Sequence, residues 1–220
     1  MWPWGPIAPV PDRAPGGRGG TLADMATNTG GSADPGAPGW TGRLLVATPA
    51  LRASIFERSV ILLLDHDSDG SLGVVLNHPL EVTVEQVLPA WAGSVTAPDV
   101  LFGGGPVSTD AALAVGVLAD EVPEPLGWRP MYDRVGLVDL DAPHEVVDGA
   151  VLGLRVFAGY AGWSPGQLEG EVEEGSWLVV DAGPQDLLDA SPQDLWPRVL
   201  RRQPDDTRLL ATYPPDPALN

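Results

Sequence analysis

The chain of 220 residues lacks both cysteine and lysine, and all 12 of its basic residues are arginine. Without cysteine there are no disulfides, thiolate nucleophiles or cysteine metal sites. Without lysine, a Schiff-base enzyme, a Ser-Lys catalytic pair and a Walker-type phosphate loop each lack an essential residue. These two absences exclude several common enzyme mechanisms.

Positive charge is also scarce, because 30 acidic residues outnumber the 12 arginines and give a formal net charge of −18. Such a charge repels phosphate backbones and anionic lipids at long range. The densest basic cluster is Arg198, Arg201 and Arg202 on a predicted helix. We expect these side chains to form internal ion pairs or to stabilise the helix C-terminus, and we expect no direct binding of nucleic acid.

Long apolar runs are missing as well. The longest run, near Val60, is far shorter than the roughly 20 residues that a membrane-spanning helix needs. The first residues do not show a charged region followed by an apolar stretch and a cleavage site. We therefore expect a cytoplasmic protein that does not associate with membranes.

The first 39 residues contain seven prolines and nine glycines and show almost no apolar periodicity. Such a composition cannot bury enough apolar surface to offset the loss of chain entropy on folding. The sequence therefore predicts a disordered extension over 1–39 and a single folded domain over 40–220.

The segment from Arg58 to Pro79 contains two apolar runs, 60–64 and 72–76, on either side of an acidic turn that ends in Asp69-Gly70. This pattern predicts a hairpin of two buried strands. Further strands are predicted at 43–47, 100–102, 112–118, 135–140, 152–160 and 177–181, and helices at 83–91, 143–149, 164–174, 184–190 and 192–202. Strands and short helices alternate without a regular βαβ repeat, which favours an α+β domain with a mixed sheet.

The hairpin turn contains three aspartates, Asp65, Asp67 and Asp69, spaced as in the first half of a calcium-binding loop. The twelfth position of that loop is Leu76, where a bidentate glutamate is needed, and the flanking segments are predicted strands. We interpret the motif as a solvated Asp-Gly turn and expect no metal site.

A hydrolase site would have to use one of the three histidines, His66, His78 and His144. The histidines are not spaced for a zinc site. A nucleophile such as Ser59 with His66 or His78 and a carboxylate stays an alternative.

Two segments combine glycine with polar or aromatic residues. The run from Gly103 to Pro106 favours a tight turn between strands, although the same backbone could also hold an anion. The segment from Gly159 to Trp163, followed by Gln167, is equally compatible with a pocket wall and with a strand-to-helix turn that covers the core.

Taken together, the ordered segments GRLLVATP, ERSVILLLDHD, GSLGVVLN-P, VLPAW, FGGGPV, GLVDLD, LRVFAGYAGW, GQLE and LWPRVLRRQ resemble the YqgE/AlgH family of bacterial proteins over residues 42–220. The resemblance implies one cytosolic α+β domain whose mixed, partly barrel-like sheet is flanked by short helices. The family name is associated with transcriptional regulation of alginate synthesis, and the resemblance brings no agreed activity, catalytic residues or cofactor. This chain has His78 where the family usually has arginine, which would weaken any anion contact there and make it dependent on pH.

Our leading hypothesis is a non-enzymatic regulatory or interaction protein, with an indirect role in transcription and no cofactor. Its partner is expected to be a protein or a small molecule bound at the places where small, polar and aromatic residues interrupt apolar strands. The candidate surface residues are Asn77, His78, Pro79, Gly104, Gly105, Pro106, Tyr160, Trp163 and Gln167. The alternative is a hydrolase with a Ser/His/carboxylate site.

Overall fold

A computed structural model of the protein describes residues 39–52, 54–183 and 185–214. Ten strands form one curled sheet in this part of the chain. The strands are β1 (Arg43–Ala47), β2 (Val60–Asp67), β3 (Gly70–Val75), β4 (Pro79–Thr83), β5 (Val100–Gly103), β6 (Val107–Leu118), β7 (Trp128–Tyr132), β8 (Val135–Val138), β9 (Val151–Trp163) and β10 (Trp177–Asp181).

The strands follow the order β10-β1-β2-β3-β9-β6-β8-β7, and β4 and β5 lie beside this path. All pairs are antiparallel except β5 with β9, which run parallel. The 13-residue strand β9 is the centre of the sheet, because it pairs with β3, with β5 and along most of its length with β6. Strands β10 and β7 lie at the two ends of this strand order. The curled sheet is therefore an open barrel, and we call the gap between β10 and β7 the seam.

The helices are short. They are α1 (Val84–Val87), α2 (Glu145–Asp148), α3 (Gln167–Glu173) and α4 (Leu195–Arg201), with 3-10 turns at Pro49–Leu51, Pro89–Trp91, Pro192–Asp194 and Asp206–Thr212. None of the helices formed by the described residues is long and apolar enough to cross a lipid bilayer.

The apolar runs are continuous because both faces of the central strands are buried. On β1 and β2, Leu44 and Leu62 point into the concave side of the sheet, whereas Leu45 and Ile61 belong to an outer cluster. We name the cluster on the concave side the concave core, and helix α4 closes part of it. Its buried residues include Leu44, Val46, Leu62, Leu64, Val74, Phe102, Val115, Val117, Phe157, Tyr160, Leu187, Leu195 and Trp196.

The predicted α+β fold class is confirmed, since the structure is a mixed, partly barrel-like sheet flanked by short helices. The hairpin is also confirmed: β2 pairs with β3 in antiparallel register from Ile61↔Val75 to Asp67↔Gly70. Its strands reach further than predicted, so that the turn between them is only Ser68-Asp69. In that turn the carboxylate of Asp67 accepts a hydrogen bond from the Asp69 amide at 2.7 Å, which is the geometry of an Asx turn.

Several element predictions were wrong. Strands β4 and β7 were missed. Strand β7 tolerates Pro130 because it is an edge strand. Proline has no amide hydrogen to donate, and an edge strand has no neighbouring strand on its open side that would need this hydrogen bond. Strand β9 continues beyond the predicted end at residue 160 as far as Trp163.

The predicted helices were longer than the helices in the structure. The segment at 83–91 contains one helical turn followed by a 3-10 turn, and 185–190 forms turns without a helix. Packing against the sheet overrides weak helical periodicity in such short segments. Pro184 and residues 1–38 of the predicted extension lie outside the described residues.

Candidate functional site

Asn77, the first residue of the predicted surface, holds two backbone groups of the opposite strand. Its Oδ1 accepts a hydrogen bond from the Val60 amide at 2.9 Å, and its Nδ2 donates to the Arg58 carbonyl at 2.9 Å. Arg58 has a φ of +55°, a conformation that side chains other than glycine rarely adopt. The Asn77 amide therefore has a structural role at the start of β2.

The residues at 103–105 form a junction between β5, β9 and the end of the hairpin. The Gly103 amide donates to the His78 carbonyl at 2.8 Å, and the Gly104 amide donates to the Ala158 carbonyl at 2.9 Å. A Cβ on Gly104 would lie 2.2 Å from the Gly159 carbonyl oxygen. We call Gly103, Gly104 and Gly105 the glycine junction, and its backbone contacts agree with the tight-turn interpretation.

Several of the predicted surface residues do meet at this junction. Pro79 pairs with Phe102, Val107 next to Pro106 pairs with Tyr160, and a Cβ on Gly105 would lie 2.3 Å from the Tyr160 carbonyl. The contacts are mainly between backbones. Burial lowers the pKa of His78 below its ordinary value, so its imidazole is neutral at physiological pH.

Trp163 and Gln167 lie elsewhere, on the outer face of the sheet. The Trp163 indole donates to Glu171 at 2.9 Å, and Gln167 donates to the same carboxylate at 2.9 Å. Trp177 donates to it as well, at 2.8 Å. Tyr160 belongs instead to the concave core, because residues three apart on a strand point to opposite faces. A single surface containing both aromatic residues does not form.

Ser59 and His66 of the hydrolase alternative are also separated. Ser59 precedes β2 and His66 is near its end, so about seven residues of extended chain place them roughly 20 Å apart. His66 is instead in contact with Ser71, whose Oγ lies 2.8 Å from its Nδ1, and its ring stacks on Trp40 at 4.8 Å. The other ring nitrogen, Nε2, is buried and has no hydrogen-bond partner among the described residues.

The acidic turn near His66 does not form a carboxylate cluster suited to a cation. Burial, with the neighbouring Asp67 charge, raises the pKa of Asp65. Within the described ranges, no group of three or more histidine or acidic side chains could hold a metal ion.

A cleft with a volume of about 600 Å³ lies at the seam of the open barrel. It lies between the turn that joins β7 to β8 and the segment that follows β10. We call it the seam cleft. Its lining residues are Gly42, Leu62, Val117, Tyr132, Asp133, Arg134, Val135, Ala182, Gly183, Asp186 and Leu187.

The floor of the seam cleft is apolar, and the polar groups lie at its rim. Leu62, Val117 and Leu187 belong to the concave core and are buried or nearly so. At the rim, Arg134 forms an ion pair with Asp120 at 2.6 Å, and Asp186 forms one with Arg202 at 2.6 Å. The cleft therefore offers an apolar interior, and two of the charged side chains at its rim, Arg134 and Asp186, are already paired.

Tyr132 is the polar group closest to the seam itself. Its ring lies against Gly42, where a Cβ would approach the ring to 2.8 Å. Burial, together with the charges of Asp133 and Asp186, raises the pKa of the Tyr132 hydroxyl. The hydroxyl is thus neutral at physiological pH and can donate or accept one hydrogen bond.

The sequence did not predict this cleft, because its lining comes from five separate stretches of chain. The one local signal is Tyr132-Asp133-Arg134, a polar triplet between two short apolar strands. Such a triplet is typical of any hairpin turn, so it does not indicate a ligand site without the neighbouring elements.

The ion pairs of α4 agree with the expectation for the basic cluster. Arg198 pairs with Asp189, and Arg202 pairs with Asp186. These contacts hold α4 against the segment after β10, which also borders the seam cleft. Arg201 is exposed.

The fold and the cleft define an open, curled β-barrel protein of the α+β class. A family model described as DUF179, AlgH-like, matches residues 44–208. The chain belongs to this family, the YqgE/AlgH family. The resemblance inferred from the ordered segments is thereby confirmed.

Relatives with similar sequences come from other bacteria. A UPF0301 protein of Streptomyces coelicolor is 56% identical over 183 residues, which cover 82% of this chain and 95% of that protein. A UPF0301 protein of Mycobacterium tuberculosis is 49% identical over 182 residues, covering 81% of this chain and 90% of the relative. Neither name states an activity.

Two solved structures share the fold. A crystal structure of a protein from Corynebacterium diphtheriae is 36% identical, has a TM-score of 0.75 and covers 83% of this chain and 95% of its own. The solution structure of AlgH from Pseudomonas aeruginosa is 22% identical, with a TM-score of 0.61 and coverage of 84% and 98%. The second likeness supports the fold alone.

Proposed function

We propose that the protein is a non-enzymatic regulatory protein that binds a small, mostly apolar molecule in the seam cleft. The observation that carries this proposal is the cleft itself: about 600 Å³ with a floor drawn from the concave core. Small-molecule sites in proteins are clefts of roughly 300–1,000 Å³ with apolar walls and a few polar groups. Tyr132 supplies such a polar group.

The position of the cleft supports a regulatory role. The strands at the two ends of the order, β7 and β10, each pair with one neighbour in the described part of the chain. A molecule in the seam cleft contacts residues next to both strands, so its binding favours one separation of the two edges. A ligand shifts such an equilibrium only by its difference in affinity for the two forms. The occupied and empty proteins then present different edges to a partner.

Two further expectations belong to this proposal. The binding activity resides in the domain at 40–220, while 1–39 is an extension, and the protein works in the cytoplasm. Its effect on transcription is indirect, since Arg198 and Arg202 are engaged in ion pairs.

The test is an NMR titration of the protein with octan-1-ol, a neutral probe with an apolar body. We expect amide shifts concentrated at 132–135, 182–183 and 185–187, and slower hydrogen exchange in β7 and β10. Ala182→Trp places a large ring in the cleft and should weaken binding more than tenfold. Ala90→Trp, at an exposed position away from the cleft, is the matched control and should bind as the wild type does. Equal binding by both variants, or no shift at the cleft, would refute the proposal.

The hydrolase alternative, with Ser71 in place of the predicted Ser59, is favoured by the 2.8 Å contact between Ser71 and His66. In a catalytic triad the second nitrogen of the histidine donates to a carboxylate, whereas Nε2 of His66 is buried with no partner among the described residues. A screen with ester and amide substrates compares wild type with His66→Ala and Ser71→Ala. Activity that both changes abolish would favour the enzyme over the binding protein.

A further inference from the structure

A positive charge is buried inside the concave side of the sheet. Arg155 lies on β9 and is 1% exposed, which makes it one of the largest fully buried side chains. It shares its strand face with Phe157, which lies two residues further along β9 in the concave core. An arginine in such a place is unusual, because burying an unpaired charge is strongly unfavourable.

The protein satisfies only part of this guanidinium group. Nη2 donates to the Ala97 carbonyl at 3.4 Å and to the Asp189 carbonyl. The group also lies 4.4 Å from the centre of the Phe102 ring. Nε and Nη1 have no hydrogen-bond partner among the described residues. Since Nε carries one N–H and Nη1 two, three of the five N–H donors are uncommitted.

No carboxylate of the described chain forms an ion pair with Arg155. The nearby Asp189 carboxylate is engaged by Arg198. Burial lowers the pKa of Arg155 to about 10, and Asp189 opposes that shift, so the side chain is charged at neutral pH. The site combines a buried cation, free donors and no carboxylate in direct ion-pair contact with the guanidinium group.

The strand register places Arg155 near the floor of the seam cleft, although Arg155 is not itself a lining residue. Arg155 pairs directly with Val115 on β6, and Val117, two residues further on the same face, lines the cleft. Two residues of a strand span about 7 Å. On the other side, the Asp189 carbonyl that accepts from Arg155 is two residues beyond Leu187, another lining residue.

We propose that Arg155 binds the carboxylate of an organic acid whose hydrocarbon part occupies the seam cleft. This inference rests on the proposed function and specifies its ligand class. Because Nε and Nη1 of Arg155 are buried, side chains of the floor would have to move aside for these N–H groups to donate to the carboxylate. The apolar floor would hold the hydrocarbon. A hydrogen bond between charged groups in a buried site contributes enough to raise affinity at least about 10-fold.

The experiment compares octanoate with octan-1-ol, which has the same chain length and no charge, and with acetate, which has the charge and almost no chain. NMR titrations and thermal shifts are measured for wild type, Arg155→Met and Arg201→Met. Arg201→Met removes the same charge from an exposed position and is the matched control. We expect wild type and Arg201→Met to bind octanoate at least 10-fold more tightly than either other probe, and Arg155→Met to lose the preference over octan-1-ol.

Equal affinity of wild type for octanoate and octan-1-ol would overturn this inference and leave the proposed function standing. So would acetate binding as tightly as octanoate, or a preference that survives in Arg155→Met. Absence of cleft shifts with every probe would refute the proposed function as well. Should Arg155→Met fail to fold, the Nε–H resonance of Arg155 in wild type decides: a shift with octanoate and none with octan-1-ol supports the inference, and any other result overturns it.

Discussion

The glycine junction and the seam cleft both contain glycine and polar residues between apolar strands, yet they have opposite structures. At the junction, three chain segments approach so closely that backbone atoms fill the space. At the seam, the two ends of the sheet leave about 600 Å³ between them. Glycine therefore marks backbone contact in the first region. In the second it marks contact with side chains, of Gly42 with the Tyr132 ring and of Gly183 with Arg202 and Asp186. The difference shows that local composition does not distinguish a closed joint from an open site.

The largest expected effect tests whether the junction is closed. Gly104→Ala places a Cβ 2.2 Å from the Gly159 carbonyl oxygen, so one of the two strands must move. We expect a loss of about 3 kcal/mol or more in the free energy of unfolding. Urea denaturation measures it, with Gly93→Ala as the control, because a Cβ there meets nothing within 4 Å. Equal stability of the two variants would show that the junction has room for a side chain.

Asn77→Ala tests whether the end of the hairpin is structural. The change leaves the Val60 amide and the Arg58 carbonyl without their partner, and each such group costs about 1–3 kcal/mol. We expect a loss of roughly 2 kcal/mol in unfolding free energy and unchanged binding at the cleft. Asn77→Asp keeps the acceptor for Val60 and should recover part of the stability. Full stability combined with lost ligand binding would indicate that the ligand binds at the end of the hairpin and not in the seam cleft.

Tyr132 gives a pH-dependent test of the seam. Its pKa is raised in the folded protein relative to the unfolded value of about 10, so the folded state favours the neutral hydroxyl. That contribution is fully present below pH 10 and is lost as the pH rises further, by up to about 1.4 kcal/mol per pH unit. Denaturation curves of Tyr132→Phe between pH 9 and 11 should lack this slope. A slope equal to that of wild type would show that Tyr132 is exposed to solvent.

The smallest effect concerns the outer edge of the seam. Arg43 and Asp181 form an ion pair at 2.6 Å between β1 and β10, and both side chains are well exposed. Exposed pairs contribute about 0–1 kcal/mol and are weakened by salt. Asp181→Asn should therefore change the unfolding free energy by less than about 0.5 kcal/mol. A larger loss of unfolding free energy would mean that this ion pair, and not the apolar floor of the cleft, stabilises the β1–β10 side of the seam.

The strands could be predicted because their apolar runs are long and bounded by glycine, proline or aspartate. The hairpin of β2 and β3 is the clearest case. The edge strands β4 and β7 escaped prediction because Pro79 and Pro130 interrupt their patterns, and only their neighbours make them strands. Short helical stripes such as 83–91 were overestimated, since packing against the sheet decides how many turns form.

The candidate site was harder to predict than the fold. Asn77, His78 and the glycines were grouped correctly in space, but the prediction could not tell that their polar groups bond to backbone. Trp163 was assigned to the same surface, although the alternation of β9 turns it to the other face. The seam cleft depends on how the ends of the sheet approach each other, which no local pattern encodes. Arg155 was visible as a polar exception in an apolar strand, but its unpaired donors required the neighbouring carbonyls.

Binding of a small molecule in the seam cleft is tested most directly by native mass spectrometry of the protein purified from its own host. Wild type and Ala90→Trp should carry an adduct with the mass of a small organic molecule, and Ala182→Trp, with the cleft filled, should not. An adduct of equal occupancy in all three proteins, or none in wild type, would contradict the assignment of the seam cleft as the binding site.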